Sequence, residues 1–480
     1  MWKTITKVPA FIQEIRLNSF LCRNTIHITH VKHTPLRPRA TRIGLVLAAT
    51  LAFVLPGLAQ DWVKSGTGIG VTKIRIAVPD FKASNADPRN ADLLHTFNDV
   101  LWNDLTNAGI FDMVSKSFYP LGPIGSPADV KFDPWSSPPP NAAMLVFGNL
   151  AASGNNVTVQ GWLYDVKNPT SPQVLGKQYT DVANTQQARV IAHKFADEII
   201  FRLGGGINGI AETQLYYVHA SGGHKEIWAM DYDGANQHAI TTLGTISLSP
   251  HISPDGSRLA FSSFNGSSWE IRMYSFDLNR IVAFPRLGGT NTSPSWSPDG
   301  SKFAFSSSRS GSPEIYVVDQ SGGNLHRITN SKGPEVQPTW NRKTGTQIAW
   351  VSGRSGLPRI YMMSADGTNI QEIVSDGYAV SPAWSPNGQI LAFAWTRHYG
   401  PGAPGSEDIY IMDVVSKQWV QLTHDAGRND FPAWSPDGRH IVFQSTRSGS
   451  SQVWTMLADG SNAKQLTTSG SNTEPDWSWK

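Results

Sequence analysis

The stretch Ser293-Pro-Ser-Trp-Ser-Pro-Asp-Gly-Ser-Lys-Phe-Ala-Phe-Ser-Ser307 decides the fold, because its frame returns throughout the C-terminal half of this 480-residue chain. Proline holds the corresponding place at 250, 294, 338, 382, 432 and 475, at spacings of 44, 44, 44, 50 and 43 residues. A period of that size marks a repeat architecture. Within one unit, Pro294-Ser-Trp296 reads as a short alternating strand, Pro298-Asp-Gly300 as a turn and Phe303-Ala-Phe305 as a second strand. Proline presets the turn, aspartate bonds its own main chain and glycine supplies positive φ. A third strand over residues 314–319 and a fourth over 326–329 complete the unit. Four strands in about 40 to 50 residues make a propeller blade.

Second strands recur at 215–217, 259–261, 303–305, 348–350, 391–393 and 441–443, which counts six blades over residues 214–480. The first unit lacks its opening Pro-x-Trp, and Glu474-Pro-Asp-Trp477 at the chain's end supplies one. An open array would leave that strand's edge exposed. The expectation is a closed ring in which the C-terminal strand completes the first blade.

Residues 72–203 read differently. Strands are expected at 73–78, 144–147, 157–166 and 174–182, and helices at 91–110 and 186–203, where apolar residues return at helical spacing. A Pro-rich loop spans 120–140. The economical arrangement is a small α/β domain whose sheet carries both helices on one face. Gly204-Gly-Gly206 is followed by no Lys-Ser/Thr, so residues 204–213 form a linker and not a phosphate loop.

Residues 43–55 are a 13-residue apolar run behind Arg37, Arg39 and Arg42, and Pro56-Gly-Leu-Ala59 follows. A membrane span needs about 20 apolar residues, whereas a secretory signal needs 7 to 15 and small residues at the cleavage site. Residues 1–59 are therefore expected to be a leader cleaved between Ala59 and Gln60, with an uncleaved anchor as the alternative. The 42 residues before the run are long for a leader, which a mis-assigned start would explain. Cys22, the only cysteine, lies inside it. His27, His30 and His33 would leave with it too. Residues 60–71, rich in Gly, Ser and Thr, read as a flexible mature N-terminus, with Trp62 either a docking anchor or tucked onto its own domain.

With 40% hydrophobic and 16% charged residues, 43 Gly and 31 Pro, the composition suits a turn-rich β protein. The formal charge of +3 resides in the leader, since residues 60–480 hold 32 basic and 36 acidic side chains. Nucleic acid is not an expected partner.

Asp255, Asp299 and Asp437 could be read as a carboxylate set, but they sit at one turn position blade after blade, and Asn387 takes the same place. A catalytic group is needed once and a turn in every blade. Arg309, Arg354, Arg397 and Arg447 follow the second strands and are expected to cap loops or pair with a neighbouring blade. Trp296, Trp340, Trp384, Trp434 and Trp477, one per blade, read as core between blades. The sequence contains no Gly-x-Ser-x-Gly elbow, no His-Glu-x-x-His and no P-loop. His251, in an inner strand, reads as a packed or channel-lining residue.

The repeat, the split ring, the exported N-terminus and the preceding α/β domain together resemble the TolB family of the Tol-Pal system. Ile76-Ala-Val-Pro-Asp-Phe81, Asp231-Tyr-Asp-Gly234, Phe284-Pro-Arg286 and Phe431-Pro-Ala-Trp-Ser-Pro436 carry the likeness, which covers about residue 61 to the C-terminus. The resemblance implies a monomeric, non-enzymatic periplasmic scaffold without catalytic residues, cofactor, metal or membrane span, supporting outer-membrane integrity and constriction at division. It implies a Pal-like peptidoglycan-associated lipoprotein at one propeller mouth, met by Arg286, Asn291, Thr292, Glu335, Gln337, Asp430 and Glu474. It also implies a TolA-like inner-membrane protein at Asp61, Trp62, Val63 and Lys64. Leu287, Val336 and Gln337 depart from the family pattern. The competing reading is a carbohydrate-active or peptide-hydrolysing propeller whose catalytic groups line the channel.

Overall fold

A computed structural model describes residues 72–398, 407–424 and 426–479. The leader, the cleavage site at Ala59 and Gln60, and the segment Asp61 to Lys64 lie outside the described residues.

The α/β domain is built on a sheet of order β3-β1-β4-β5-β6. β1 (Ile74–Ala77) runs parallel to β3 (Phe111–Met113) and to β4 (Met144–Ser153), while β5 (Asn156–Asp165) and β6 (Gln173–Val182) continue as an antiparallel meander. A short β2 (Lys82–Ala83) also pairs with β4. Helices α1 (Asn90–Asn107) and α3 (Thr185–Leu203) cover one face, burying Phe97, Leu101 and Leu105 against Ile191, Phe195 and Ile199. Asn184 caps α3 by accepting from the Gln187 amide at 2.8 Å. Asn90 opens α1 but caps nothing; its side chain accepts from the Ala152 amide at 2.8 Å and ties the helix to β4.

The other face is covered as well. Residues 120–140 contain a 3-10 turn (Pro127–Asp129) and α2 (Phe132–Ser136), and Trp135, 3% exposed, packs on Leu145, Phe147 and Tyr164. The expected loop is thus a packed layer: its prolines erase helical periodicity, yet Ile124, Val130, Phe132 and Trp135 supply apolar surface.

Six four-stranded antiparallel sheets follow. In blade 1, Ser471–Trp477 pairs with Gln214–Ser221, placing Trp477 opposite Leu215. Trp477 is 1% exposed and donates its indole N–H to Thr213 at 2.8 Å. The series tryptophans are buried, and Trp296 and Trp434 donate to the carbonyls of His251 and Ala383 in the preceding blade, both at 3.1 Å. Asp299 accepts from Ser297 Oγ at 2.5 Å and from the Ser301 amide at 3.1 Å, and Asp255 repeats these contacts one blade earlier. These aspartates close turns. The recurrent arginines stack and bond within their own blades, and Arg447 also feels the charge of Asp408 in the neighbouring blade. Arg354 stacks on Tyr361 at 4.7 Å and pairs with Glu335 at 3.0 Å, while Arg447 stacks on Trp454 at 4.8 Å.

The α/β domain and propeller form one compact unit. Tyr232 of the propeller donates at 2.5 Å to Asp104 of α1, whose other oxygen meets His193 Nδ1 of α3 at 2.7 Å. Arg189 bridges to Asp233 at 2.6 Å, and His440 Nε2 meets the Asn107 carbonyl at 2.7 Å. Asp197 receives the linker amides of Ala211 and Glu212 at 3.0 and 3.3 Å; burial, opposed by those bonds, pushes its pKa up to about 7. Tyr232 and Asp233 follow a third strand, and His440 follows a turn between first and second strands. The α/β domain therefore sits on the propeller face bearing those turns, and the inner strands begin at the opposite mouth.

Candidate functional site at the propeller channel

Each inner strand carries a residue with left-handed backbone immediately before its proline: Ser249, Ser293, Gln337, Ser381, Phe431 and Glu474, with φ between 51° and 54°. Proline cannot donate a ladder bond. At each of the six sites the pairing register slips, as in a bulge. Repeated around the ring, the bulges line a central cavity of about 120 Å³ with serine, proline and the side chains of Gln337 and Glu474.

The bulge amides of Ser249, Ser293, Ser381 and Glu474 leave their own ladder and are caught by side chains of neighbouring blades. Glu474 of blade 1 accepts the Ser249 amide and hydroxyl of blade 2 at 2.7 and 3.0 Å. Gln337 of blade 4 accepts the Ser381 amide of blade 5 at 3.1 Å, and Ser381 Oγ donates to Asp430 of blade 6 at 2.8 Å. Burial raises the Glu474 pKa, against the pull of Lys225 and of these Ser249 bonds. Side chains of the channel wall thus lace adjacent blades together.

The expected partner-facing residues divide into three groups. Arg286 is 83% exposed, 3.4 Å from Glu270, and Thr292 is half-buried at the start of its strand. Gln337 and Glu474 line the channel. Asn291, Glu335 and Asp430 are buried. Asn291 donates to the carbonyls of Gly288 and Gly289, and Glu335 accepts from Ser352, Arg354 and the Trp350 indole. The mouth thus holds its carboxylates in the wall while Arg286, Arg309 and Arg397 stand exposed above them.

Sequence reasoning passed over Arg342. It occupies the turn position filled by Pro254, Pro298, Pro386 and Pro436 in other blades. Its guanidinium, 10% exposed, leaves blade 4, reaches the Trp434 carbonyl of blade 6 at 3.3 Å and Asp476 of blade 1 at 3.5 Å, and stacks over Trp479 at 4.6 Å. Blades 1 and 4 are opposite in a ring of six, so Arg342 lies across the channel at the end nearer the α/β domain. Burial depresses its pKa and Asp476 works against that. The signal for it was a departure from the repeat, hidden because this turn is one residue longer than its counterparts. Among the described residues no three potential metal ligands cluster, and no helix is long and apolar enough to cross a membrane.

Comparison with known proteins adds the relationship. A family described as the TolB amino-terminal domain matches residues 67–171, and the TolB beta propeller domain matches 202–394 and 373–480. The Tol-Pal system protein TolB of Cereibacter sphaeroides is 32% identical over 246 residues, covering 50% of this chain and 53% of that one. The Bordetella pertussis protein of that name is 32% identical over 309 residues, 64% of this chain and 66% of its own. The first of these alignments spans about half the relative's length. A crystal structure of TolB from Acinetobacter baumannii superposes with a TM-score of 0.71 over 85% of this chain and 97% of that one, at 22% identity, and shares the fold. With both family matches on one chain, in the order and at the places of its α/β domain and its ring of blades, this protein belongs to the TolB family.

Proposed function

We propose that this protein is a periplasmic scaffold of a Tol-Pal system, and that the mouth away from the α/β domain receives a Pal-like peptidoglycan-associated lipoprotein. Membership of a family whose relatives are named for that system carries the reading. The architecture supports it: one mouth is taken up by the α/β domain, and the other presents exposed arginines over buried carboxylates. In the same reading the leader is removed after Ala59, the segment Asp61, Trp62, Val63 and Lys64 engages a TolA-like inner-membrane protein, and residues 72–203, 204–213 and 214–480 act as domain, linker and propeller. The adaptor would serve outer-membrane integrity and constriction at division as a monomer.

Titrating the purified soluble domain of a Pal-like lipoprotein into the protein tests this. Saturable binding is expected, weakened about tenfold or more by Arg286→Glu with no change in melting temperature, and weakened by salt because exposed charges are screened. Absence of binding rejects the reading, and full affinity in Arg286→Glu rejects the assignment of that residue. Turnover of glycan or peptide substrates in the absence of lipoprotein binding would favour a hydrolytic propeller instead.

A further inference from the structure

The channel wall holds buried hydrogen-bond donors that lack partners. A guanidinium has five N–H donors, and the two contacts of Arg342, at 3.3 and 3.5 Å, engage only two of them. Trp384 lines the same cavity with its indole N–H buried and unpartnered, and so is that of Trp479 beneath Arg342. His251 Nδ1, also in the lining, is buried and unpartnered, and adds a donor only in the tautomer that carries its proton there. Most side-chain acceptors of the wall already have partners, although both bonds to Glu474 fall on one of its oxygens. Asp476 takes the Ile252 amide at 3.0 Å with one oxygen and faces Arg342 with the other. Glu474 takes Ser249, and Gln337 takes the Ser381 amide. Buried donors are rarely left without partners, and a buried charge without them is costly.

We propose that the channel is a blind receptor for a small oxyanion or carboxylate group, with Arg342 as its floor. Arg342 closes the end nearer the α/β domain, so a ligand enters from the opposite mouth. The cavity, about 120 Å³, has room for a carboxylate on a short stem or a tetrahedral oxyanion. Planar guanidinium geometry suits parallel bonds to such a group. The chemistry is shared by a free ion and by an acidic side chain on a loop entering the mouth, and does not depend on which partner the mouth receives.

The test uses the intact protein at constant ionic strength, with sodium chloride exchanged for sodium acetate or phosphate, and with two blocked pentapeptides carrying a central Glu or Gln. Saturable binding of acetate or phosphate is expected by calorimetry, as is a saturable rise in melting temperature. Arg342→Gln should weaken binding at least tenfold, and Arg342→Lys should retain part of it. A Glu peptide binding tenfold or more tightly than acetate, with the Gln peptide silent, assigns the group to an incoming side chain, whereas equal or weaker binding assigns it to a free ion. Should Arg342→Gln not fold, line broadening of ¹³C-labelled acetate on the unsubstituted protein, reversed by phosphate, serves instead. The proposal is overturned if no probe binds saturably, if binding is unchanged in Arg342→Gln, or if the acetate signal does not broaden.

Discussion

His193 and Asp104 meet inside the contact between the two domains, 4% and 3% exposed, with His193 Nδ1 2.7 Å from the carboxylate. Burial works to lower the His193 pKa, but the Asp104 hydrogen bond and charge outweigh it and raise it; burial raises that of Asp104. A histidine pKa above its unfolded value near 6.5 gives stability that is complete below that pH and lost as pH rises through the folded value. Melting temperature is therefore expected to fall as pH rises from about 6.5, and His193→Gln should flatten that dependence; an unchanged slope in the variant would place the titration elsewhere. At Trp477 the expectation is simpler: truncation to alanine removes a fully buried ring and should cost about 3 to 5 kcal/mol in denaturant unfolding. Residue-level function was the least legible part of the sequence. Period-two counting assigns faces along a strand, but the left-handed bulge before each proline inserts a residue and reverses the alternation. Position on the inner strand was therefore readable for Asn291, Glu335 and Asp430, while their burial was not. Arg342 was visible only as a missing proline in a turn whose extra residue spoiled the alignment.

At the scale of elements, legibility followed periodicity. Both long helices and the strands β1, β5 and β6 lay where their spacing indicated, whereas β4, buried on both faces, runs to Ser153 and well past the expected 144–147. The short β3 and α2 did not announce themselves: three and five residues are too few for a period to show, and their apolar side chains are recruited by the sheet. One element pair has a close tolerance. Gly161 in β5 passes under the Phe195 ring of α3, and an added Cβ there would stand 2.6 Å from it. Gly161→Ala should destabilise the protein by about 1 to 3 kcal/mol through overpacking, while leaving binding at the propeller mouth intact; equal melting temperatures would show that the helix yields. Gly148, in β4, faces the same restriction from Phe81 and the Gln160 carbonyl.

For the whole molecule, the count of six and the split first blade were readable because a repeat reports its own number and its own missing piece. The strand Ser471–Trp477 carries the closure, together with Glu474 to Ser249 and Asp476 to the Ile252 amide. Deleting residues 474–480 should lower the melting temperature sharply and expose blades 1 and 2 to proteolysis; an unchanged transition would mean that the ring holds without its last strand.

That same strand sets a schedule for synthesis. Tyr216 pairs with Asp476, so the first blade begun is the last one finished, and five blades form while their starting edge waits. Contacts between such distant positions are slow to close, and an unpaired edge in the interval is open to misassociation. A chain without Ser471–Trp477 would keep nearly all its other contacts and have no closed ring.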